Sequence, residues 1–294
     1  MKSETDAYAF ILNPIAGSGF AVETMEKIEA EMKRRNQPYR VFRTEAPGHG
    51  TELARRLAAD ETVRAVISVG GDGTAFEVAS GVMGTGKPMA VIPAGTGNDF
   101  IKTAKIPKDP MEALNAALTG TAAPVDMGRL GEGSFLNVCG TGFDVTVLDF
   151  AESLKQRYRG LLPYFLGLLK AIAHYRPVRL KLEIDGQKEE GEYLICSVAN
   201  GRYIGGGIPI CPAADPEDGK LDVVLVKNVP RRKIPLYLPG LMMGRILHFR
   251  VTRHLLAEEV HMEGENMRLN VDGEIFSMNR ADFAVRKKVL NLIR

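Results

Sequence analysis

The sequence predicts two domains. Residues 1–125 read as an α/β domain on a parallel sheet, and 126–286 as a β-rich, sandwich-like domain, with a C-terminal strand at 287–294 able to return to the first. Three observations predict this. In the first half, short apolar runs end in Gly/Asn/Thr-rich loops and alternate with helical patterns, as in strand–loop–helix units of a parallel sheet. From Asp126 onward the pattern becomes mostly β, with turns at Asp185-Gly186, Asp218-Gly219 and Asp272-Gly273. The length, 294 residues, suffices for two cores of ordinary size.

In chain order, residues 8–12 (YAFIL) form an apolar strand that runs into Asn13-Pro14-Ile15-Ala16-Gly17-Ser18-Gly19, and helical spacing resumes at Val22, Met25, Glu29 and Met32. Residues 39–44 alternate as a strand, and 50–59 form a helix with Leu53 and Leu57 on one face. The central unit follows. Val66, Ile67 and Val69 lead directly into Gly70-Gly71-Asp72-Gly73-Thr74, and a helix is predicted over 75–82. Glycines let the backbone approach a ligand closely, and the helix start offers free N–H groups and a positive dipole end, which suit a phosphate. Asp72 would repel that phosphate unless a cation such as Mg²⁺ lay between them or the carboxylate held a donor. On this stretch alone, an ordinary glycine turn fits equally well.

A further strand, 89–92, ends in Pro93-Ala94-Gly95-Thr96-Gly97-Asn98-Asp99-Phe100, and 109–119 is a helix capped by Asp109 with Pro110 in its first turn. Such loops belong at the carboxyl ends of the strands and should converge on one nucleotide. Gly81-x-x-x-x-Gly86-Lys87 has Walker A spacing, but Pro88 stands where a Mg²⁺-binding hydroxyl is required and the segment precedes a strand, so it is rejected. In the second half, strands are predicted over 135–139, 178–184, 192–199, 221–227, 267–271 and 282–289, with helices over 161–175 and 233–249. The second helix carries Arg231, Arg232 and Lys233 ahead of an apolar, methionine-containing stretch; it either faces the core or touches an anionic bilayer surface.

Composition narrows the function. A net charge of +2, without Lys/Arg clusters interleaved with aromatics, excludes a general nucleic-acid footprint. Cys139, Cys196 and Cys211 lack metal-site spacing and read as buried, reduced thiols of a cytoplasmic protein. Met1-Lys2-Ser3-Glu4 leads into polar residues and not into the apolar core of a secretory signal. The longest apolar stretch, 161–175, is interrupted by Pro163 and Lys170 and is shorter than the roughly 20 residues of a spanning helix.

Taken together, Asn13-Pro14-x-Ala16-Gly17, Gly70-Gly71-Asp72-Gly73-Thr74, Pro93-x-Gly95-Thr96-Gly97-Asn98-Asp99-Phe100, Gly142-Phe143-Asp144, Gly205-Gly206-Gly207 and Asp272-Gly273-Glu274 follow one another in an order that resembles the diacylglycerol kinase catalytic-domain family, whose relatives include sphingosine and ceramide kinases. The resemblance runs from Tyr8 to about Arg286. It implies an ATP- and Mg²⁺-dependent lipid kinase with its active site between the two domains, a lipid acceptor met at a membrane surface, and cytoplasmic location with peripheral membrane association. By similarity, Asn13, Pro14, Ala16, Gly17, Thr44, Gly70–Thr74, Thr96 and Glu274 would line the nucleotide. Asp72, Asp99 and Asp126 look like a Mg²⁺-linked acidic network, Asp272 looks like the general base, and Asp215, Asp218 and Lys220 resemble a structural metal site. Ala75-Phe76 depart from the Leu-Asn that often follows this glycine loop. Sphingoid bases or phosphatidylglycerol as acceptor, a NAD kinase, and a non-catalytic nucleotide- or lipid-binding regulator are the alternatives. A homodimer is left open.

Overall fold

The computed structural model describes residues 6–155 and 162–294; the start at Met1–Glu4 and Leu161, the first residue of the predicted 161–175 helix, lie outside them. The first domain alternates β1 (Ala7–Leu12), α1 (Phe20–Arg34), β2 (Tyr39–Arg43), α2 (His49–Ala58), β3 (Val63–Gly70), α3 (Asp72–Val82), β4 (Pro88–Pro93), the short α4 (Asp99–Thr103) and α5 (Pro110–Thr119). The strands pair in parallel in the order β2-β1-β3-β4. Parallel strands need crossovers, and α1, α2 and α3 supply the three that join β1 to β4. Phe10, Ile11, Leu12, Ile67 and Ile92 are fully buried beneath Ile28, Met32 and Leu114.

Gly81 serves packing, since a Cβ there would lie 2.5 Å from both the Ala54 Cβ and the Thr51 carbonyl oxygen. That close approach lets α2 lie against α3. The Glu77 carboxylate of α3 then accepts hydrogen bonds from the Gly48 and Gly50 N–H groups at 2.7 and 2.8 Å, capping α2. Ala75 is buried in this core and Phe76 packs against it.

The second half contributes β5 (Ala122–Leu130), β6 (Gly133–Phe135), β7 (Val138–Gly142), α6 (Phe143–Lys155), α7 (Leu162–His174), β8 (Val178–Ile184), β9 (Gln187–Ala199), β10 (Leu221–Lys227), α8 (Ile234–Met242), β11 (Thr252–Ala257), β12 (Glu259–Val271) and β13 (Glu274–Ile293). β7 and β8 both join the long strands β9 and β12, at opposite ends, so the sheet folds over itself into a sandwich. Its strands read with period two. On β10, Val223 and Leu225 enter the sandwich interior, while Val224 and Val226 face the layer under α6, α7 and α8.

Three differences from the sequence expectation have physical causes. The strand predicted over 135–139 is two, because the N–H groups of Leu136, Asn137 and Val138 bond the Asp272 carboxylate. The helix predicted over 233–249 ends at Met242, where Gly244 follows with φ +70°. Finally, β13 runs for 20 residues, pairing first with β12, then with β5, and at Asn291 and Leu292 in parallel with β4 of the first domain.

Candidate active site

Three loops at the carboxyl ends of β1, β3 and β4 meet backbone to backbone. A Cβ on Gly95 would lie 2.3 Å from the Gly71 Cα, and one on Gly17, which has φ +59°, would lie 2.4 Å from the Ala94 carbonyl oxygen. No other residue type fits either place without spreading the loops. The Ala94 N–H donates to the Gly70 carbonyl at 2.7 Å, the Asn13 N–H to the Val69 carbonyl at 3.1 Å, and the Thr44 N–H to the Leu12 carbonyl at 2.9 Å. Asn13, Pro14, Ala16, Gly17, Thr44 and the Gly70–Thr74 turn thus gather along one edge of the sheet. The Asn13 Oδ1 accepts from the Ile15 N–H, a turn within its own loop. Thr96 is exposed at the tip of the third loop.

Asp72 begins α3, and its Oδ1 accepts from the Phe100 N–H at 2.9 Å. Burial pushes its carboxyl up; the N–H groups of Phe100 and Asp99 pull it back, and the Asp99 charge pushes it up again. Asp99, buried at the start of α4, takes the Lys102 ammonium on Oδ1 at 2.8 Å and the Gly206 N–H on Oδ2 at 2.8 Å. The second bond crosses from one domain to the other. Lys102 also donates to the Gly97 carbonyl at 3.1 Å, closing the loop that Asn98 braces by donating to the Gly95 carbonyl at 2.7 Å.

Asp272 sits in the tight turn between β12 and β13 with φ +48°. Its Oδ2 accepts from Leu136 N–H at 2.6 Å, and its Oδ1 from Asn137 and Val138 N–H at 2.9 and 3.0 Å. Burial raises this carboxyl to about 6; the three N–H groups oppose the rise, and the charge of Asp72 adds to it. The candidate base therefore lies within electrostatic reach of the glycine-rich loop. The adjoining Glu274 is exposed.

Asp126 stands apart from Asp72 and Asp99. It is buried on β5, and its two oxygens accept the N–H groups of Gly219 at 2.8 Å and Lys288 at 2.6 Å. Its place is beneath the Asp218 loop, where Asp218 Oδ1 accepts from the Lys220 N–H and Asp215 Oδ1 from the Glu217 N–H. Burial and the charges of Asp215 and Asp126 raise the Asp218 carboxyl against the pull of the Lys220 N–H. Among the described residues no cluster of three or more His, Cys, Asp or Glu side chains is arranged to hold a metal. Two neighbouring acidic side chains, Asp72 and Asp99, nevertheless suit Mg²⁺, which takes hard oxygen ligands from one or two carboxylates and completes its shell with water and phosphate.

Residues 7–130 match the diacylglycerol kinase catalytic domain, and residues 137–294 match the YegS C-terminal NAD kinase beta sandwich-like domain. This chain belongs to the diacylglycerol kinase and YegS-like lipid kinase family. It is 29% identical to the diacylglycerol kinase of Mycobacterium tuberculosis, across 100% of this chain and 96% of that one. A Pseudomonas putida protein named "Probable lipid kinase YegS-like" is 32% identical, with 81% of each chain covered. The crystal structure of a diacylglycerol kinase from Bacillus anthracis superposes with a TM-score of 0.80 at 27% identity, covering 99% of this chain and 98% of that one.

Within this lipid kinase fold, several contributors have no role assigned from the sequence, Gly206 and Asp144 standing there only as members of motifs. Lys102 stands at i+3 from Asp99, a detectable helical pair. The Gly206 partner, 107 positions away, carries no such signal. Asp144, at the start of α6, has its Oδ1 buried and unpartnered, and desolvation raises its carboxyl to about 6 against the N–H groups of Val145 and itself and the Asn270 side chain. Asn270 in turn accepts the Gly273 N–H at 2.8 Å. Asp144 thus lies one side chain from the Asp272 turn.

Proposed function

We propose that this protein transfers the γ-phosphoryl group of ATP, with Mg²⁺, to a lipid hydroxyl, with diacylglycerol as acceptor and phosphatidic acid as product. The observation that carries the reading is the Asp272 carboxylate. A lipid hydroxyl is a weak nucleophile, and its proton must be taken as it attacks phosphorus in line. A base raised to about 6 is ionised at neutral pH yet more basic than an ordinary aspartate. Of roughly four lone-pair positions on the carboxylate, three are held by backbone N–H groups, and the remaining one lies on Oδ2. There Asp272 accepts the hydroxyl proton while the lipid O–P bond forms and the bond from the γ-phosphorus to the bridging oxygen of ADP breaks. The proton then leaves to solvent.

Asn13, Pro14, Ala16, Gly17, Thr44, Gly70–Thr74, Thr96 and Glu274 hold the nucleotide in this reading. The bare backbone of Gly71 and Gly95 and the N-terminus of α3 offer N–H groups to the phosphates. Asp72 and Asp99 hold Mg²⁺, which when bound neutralises charge on the phosphates. Asp126 fixes the Asp218 loop, where Asp218 and the backbone of Asp215 and Lys220 hold a structural cation. Relatives named as diacylglycerol kinases support the acceptor. The enzyme would act in the cytoplasm, peripherally on the membrane. Transfer of labelled γ-phosphate to diacylglycerol, a sphingoid base, phosphatidylglycerol and NAD in mixed micelles tests the reading. Label in diacylglycerol supports it, and label in NAD alone overturns it.

A further inference from the structure

We infer that the outer face of α8, with the cations at its two ends, is the surface by which this protein docks on an anionic phospholipid bilayer. The α8 sequence, IPLYLPGLM, has no charged residue and is apolar on every side. Such a helix is expected to be covered all round. Only one side is covered here. Ile234, Tyr237, Leu238 and Leu241, at i, i+3, i+4 and i+7, pack onto the layer outside the sandwich, with the Tyr237 ring 5.0 Å from Phe249. Leu236 is 76% exposed, and Met242 and Met243 are 61% and 60% exposed. These three form the largest group of exposed apolar side chains on one short segment among the described residues.

The charge around the patch selects its occupant. From Asn228 to Ala257 there are six Lys or Arg residues and no Asp or Glu, in a chain whose net charge is only +2. Arg232, Lys233, Arg245 and Arg250 are exposed, before and after the helix. A second copy of the same face would set these cations against one another, so self-association through it is disfavoured. An anionic bilayer satisfies both features, taking the apolar side chains between its headgroups and the cations beside its phosphates. The position is apt. The loop whose Gly206 bonds Asp99 continues to Pro209, which a Cβ on Gly244, just after α8, would meet at 3.5 Å. Docking there sets the bilayer near the loop that joins the two domains at the candidate site. The inference rests on the lipid-kinase reading for its purpose, and its test does not depend on turnover.

The test is flotation without ATP on vesicles of phosphatidylcholine, alone or mixed with phosphatidylglycerol. The mixed vesicles should carry the wild-type protein, and added salt should release it. Arg232→Gln with Lys233→Gln should weaken binding about fivefold per charge removed. Leu236→Ser with Met243→Ser should weaken it by at least about tenfold, because both side chains already face solvent and their insertion is lost. Both variants should keep the wild-type melting temperature and the wild-type rate on a short-chain diacylglycerol presented in solution. Equal flotation of wild type and variants overturns the assignment, as does failure of wild type to float. A dimer lost in the variants, with no vesicle binding, assigns the face to a second copy and overturns it too. If vesicle binding behaves as expected while wild type phosphorylates no lipid, the kinase reading fails and the docking surface stands.

Discussion

Replacing Asp272 by asparagine separates the base from the framework it is bonded into. In the wild-type protein, Oδ1 serves two N–H groups and Oδ2 serves the Leu136 N–H at 2.6 Å. An asparagine oxygen in the Oδ1 position keeps two bonds, now to a neutral acceptor, and its NH₂ group faces the Leu136 N–H, donor against donor. Loss of one charge-assisted bond, offset in part because no buried charge must be maintained, costs about 2–3 kcal/mol. At roughly 2–4 °C per kcal/mol for a chain of this size, the melting temperature should fall by about 4–12 °C. Assayed well below that temperature, transfer to diacylglycerol should fall by about 10²–10⁴-fold, the usual contribution of a positioned base. ATP affinity, measured by calorimetry, should stay near wild type. A folded Asp272→Asn protein with a rate within about threefold of wild type would refute Asp272 as the base.

The same residue sets a pH dependence. The Asp272 carboxyl stands at about 6 in the folded protein, above its ordinary value. Activity should therefore rise as pH increases through about 6, since the base must be ionised. The stability contribution runs oppositely. A carboxyl raised on folding binds its proton more tightly when folded, so its contribution is complete at pH below the ordinary aspartate value and is lost as pH rises through about 6. Asp144, also raised to about 6, acts in the same direction. In Asp272→Asn, the fall in melting temperature between acid and neutral pH should be smaller than in wild type; an unchanged slope would contradict the assignment.

The remaining predictions follow from single contacts. Gly95→Ala should lower ATP affinity by at least about tenfold with an intact fold, because its Cβ would press on Gly71 at 2.3 Å and open the loops; calorimetry giving wild-type affinity would exclude the convergent phosphate site. Asp126→Ala should cost about 3–5 kcal/mol, read by urea unfolding, because two buried backbone N–H groups lose their acceptor; a loss below about 1 kcal/mol would contradict it. Asp72→Asn should raise the Mg²⁺ concentration needed for half-maximal transfer while changing the melting temperature little, and an unaltered Mg²⁺ titration would remove Asp72 from the cation site. Asp218→Ala should lower the melting temperature and weaken the stabilisation given by added Mg²⁺; the same melting temperature with or without metal would end the structural-cation proposal.

Much of the first domain is legible in sequence because the parallel strands β1, β3 and β4 are buried on both faces and read as short apolar runs, bounded by the small residues their loops require. Ile67 and Val69 running into Gly70 are an instance. The Asp185-Gly186 hairpin is equally local: both residues take positive φ, 44° and 82°, between β8 and β9. What hides is long-range. β5 contains Pro124, which weakens any strand signal, yet it is held by β13 more than 150 positions later. β13 crosses from the sandwich to the first domain, and its apolar pattern changes where its partners change. The break at Leu136–Val138 is invisible for the same reason, since the acceptor that stops the ladder arrives from Asp272.

These long-range bonds also resolve a difficulty in the site. Acidic side chains crowd a cleft proposed to receive a triphosphate, which ought to repel it. Most of that charge is already committed. Asp99 is matched by the Lys102 ammonium and the Gly206 N–H, and Asp272 accepts three consecutive backbone N–H groups. Asp72 has the Phe100 and Asp99 N–H groups, no ammonium of its own, and the like charge of Asp99 beside it. It is therefore the carboxylate that gains most from an added cation. The partnered acids tie the loops and the two halves of the chain together, and the proposed Mg²⁺ falls chiefly to Asp72, in the turn where the phosphates are proposed to sit.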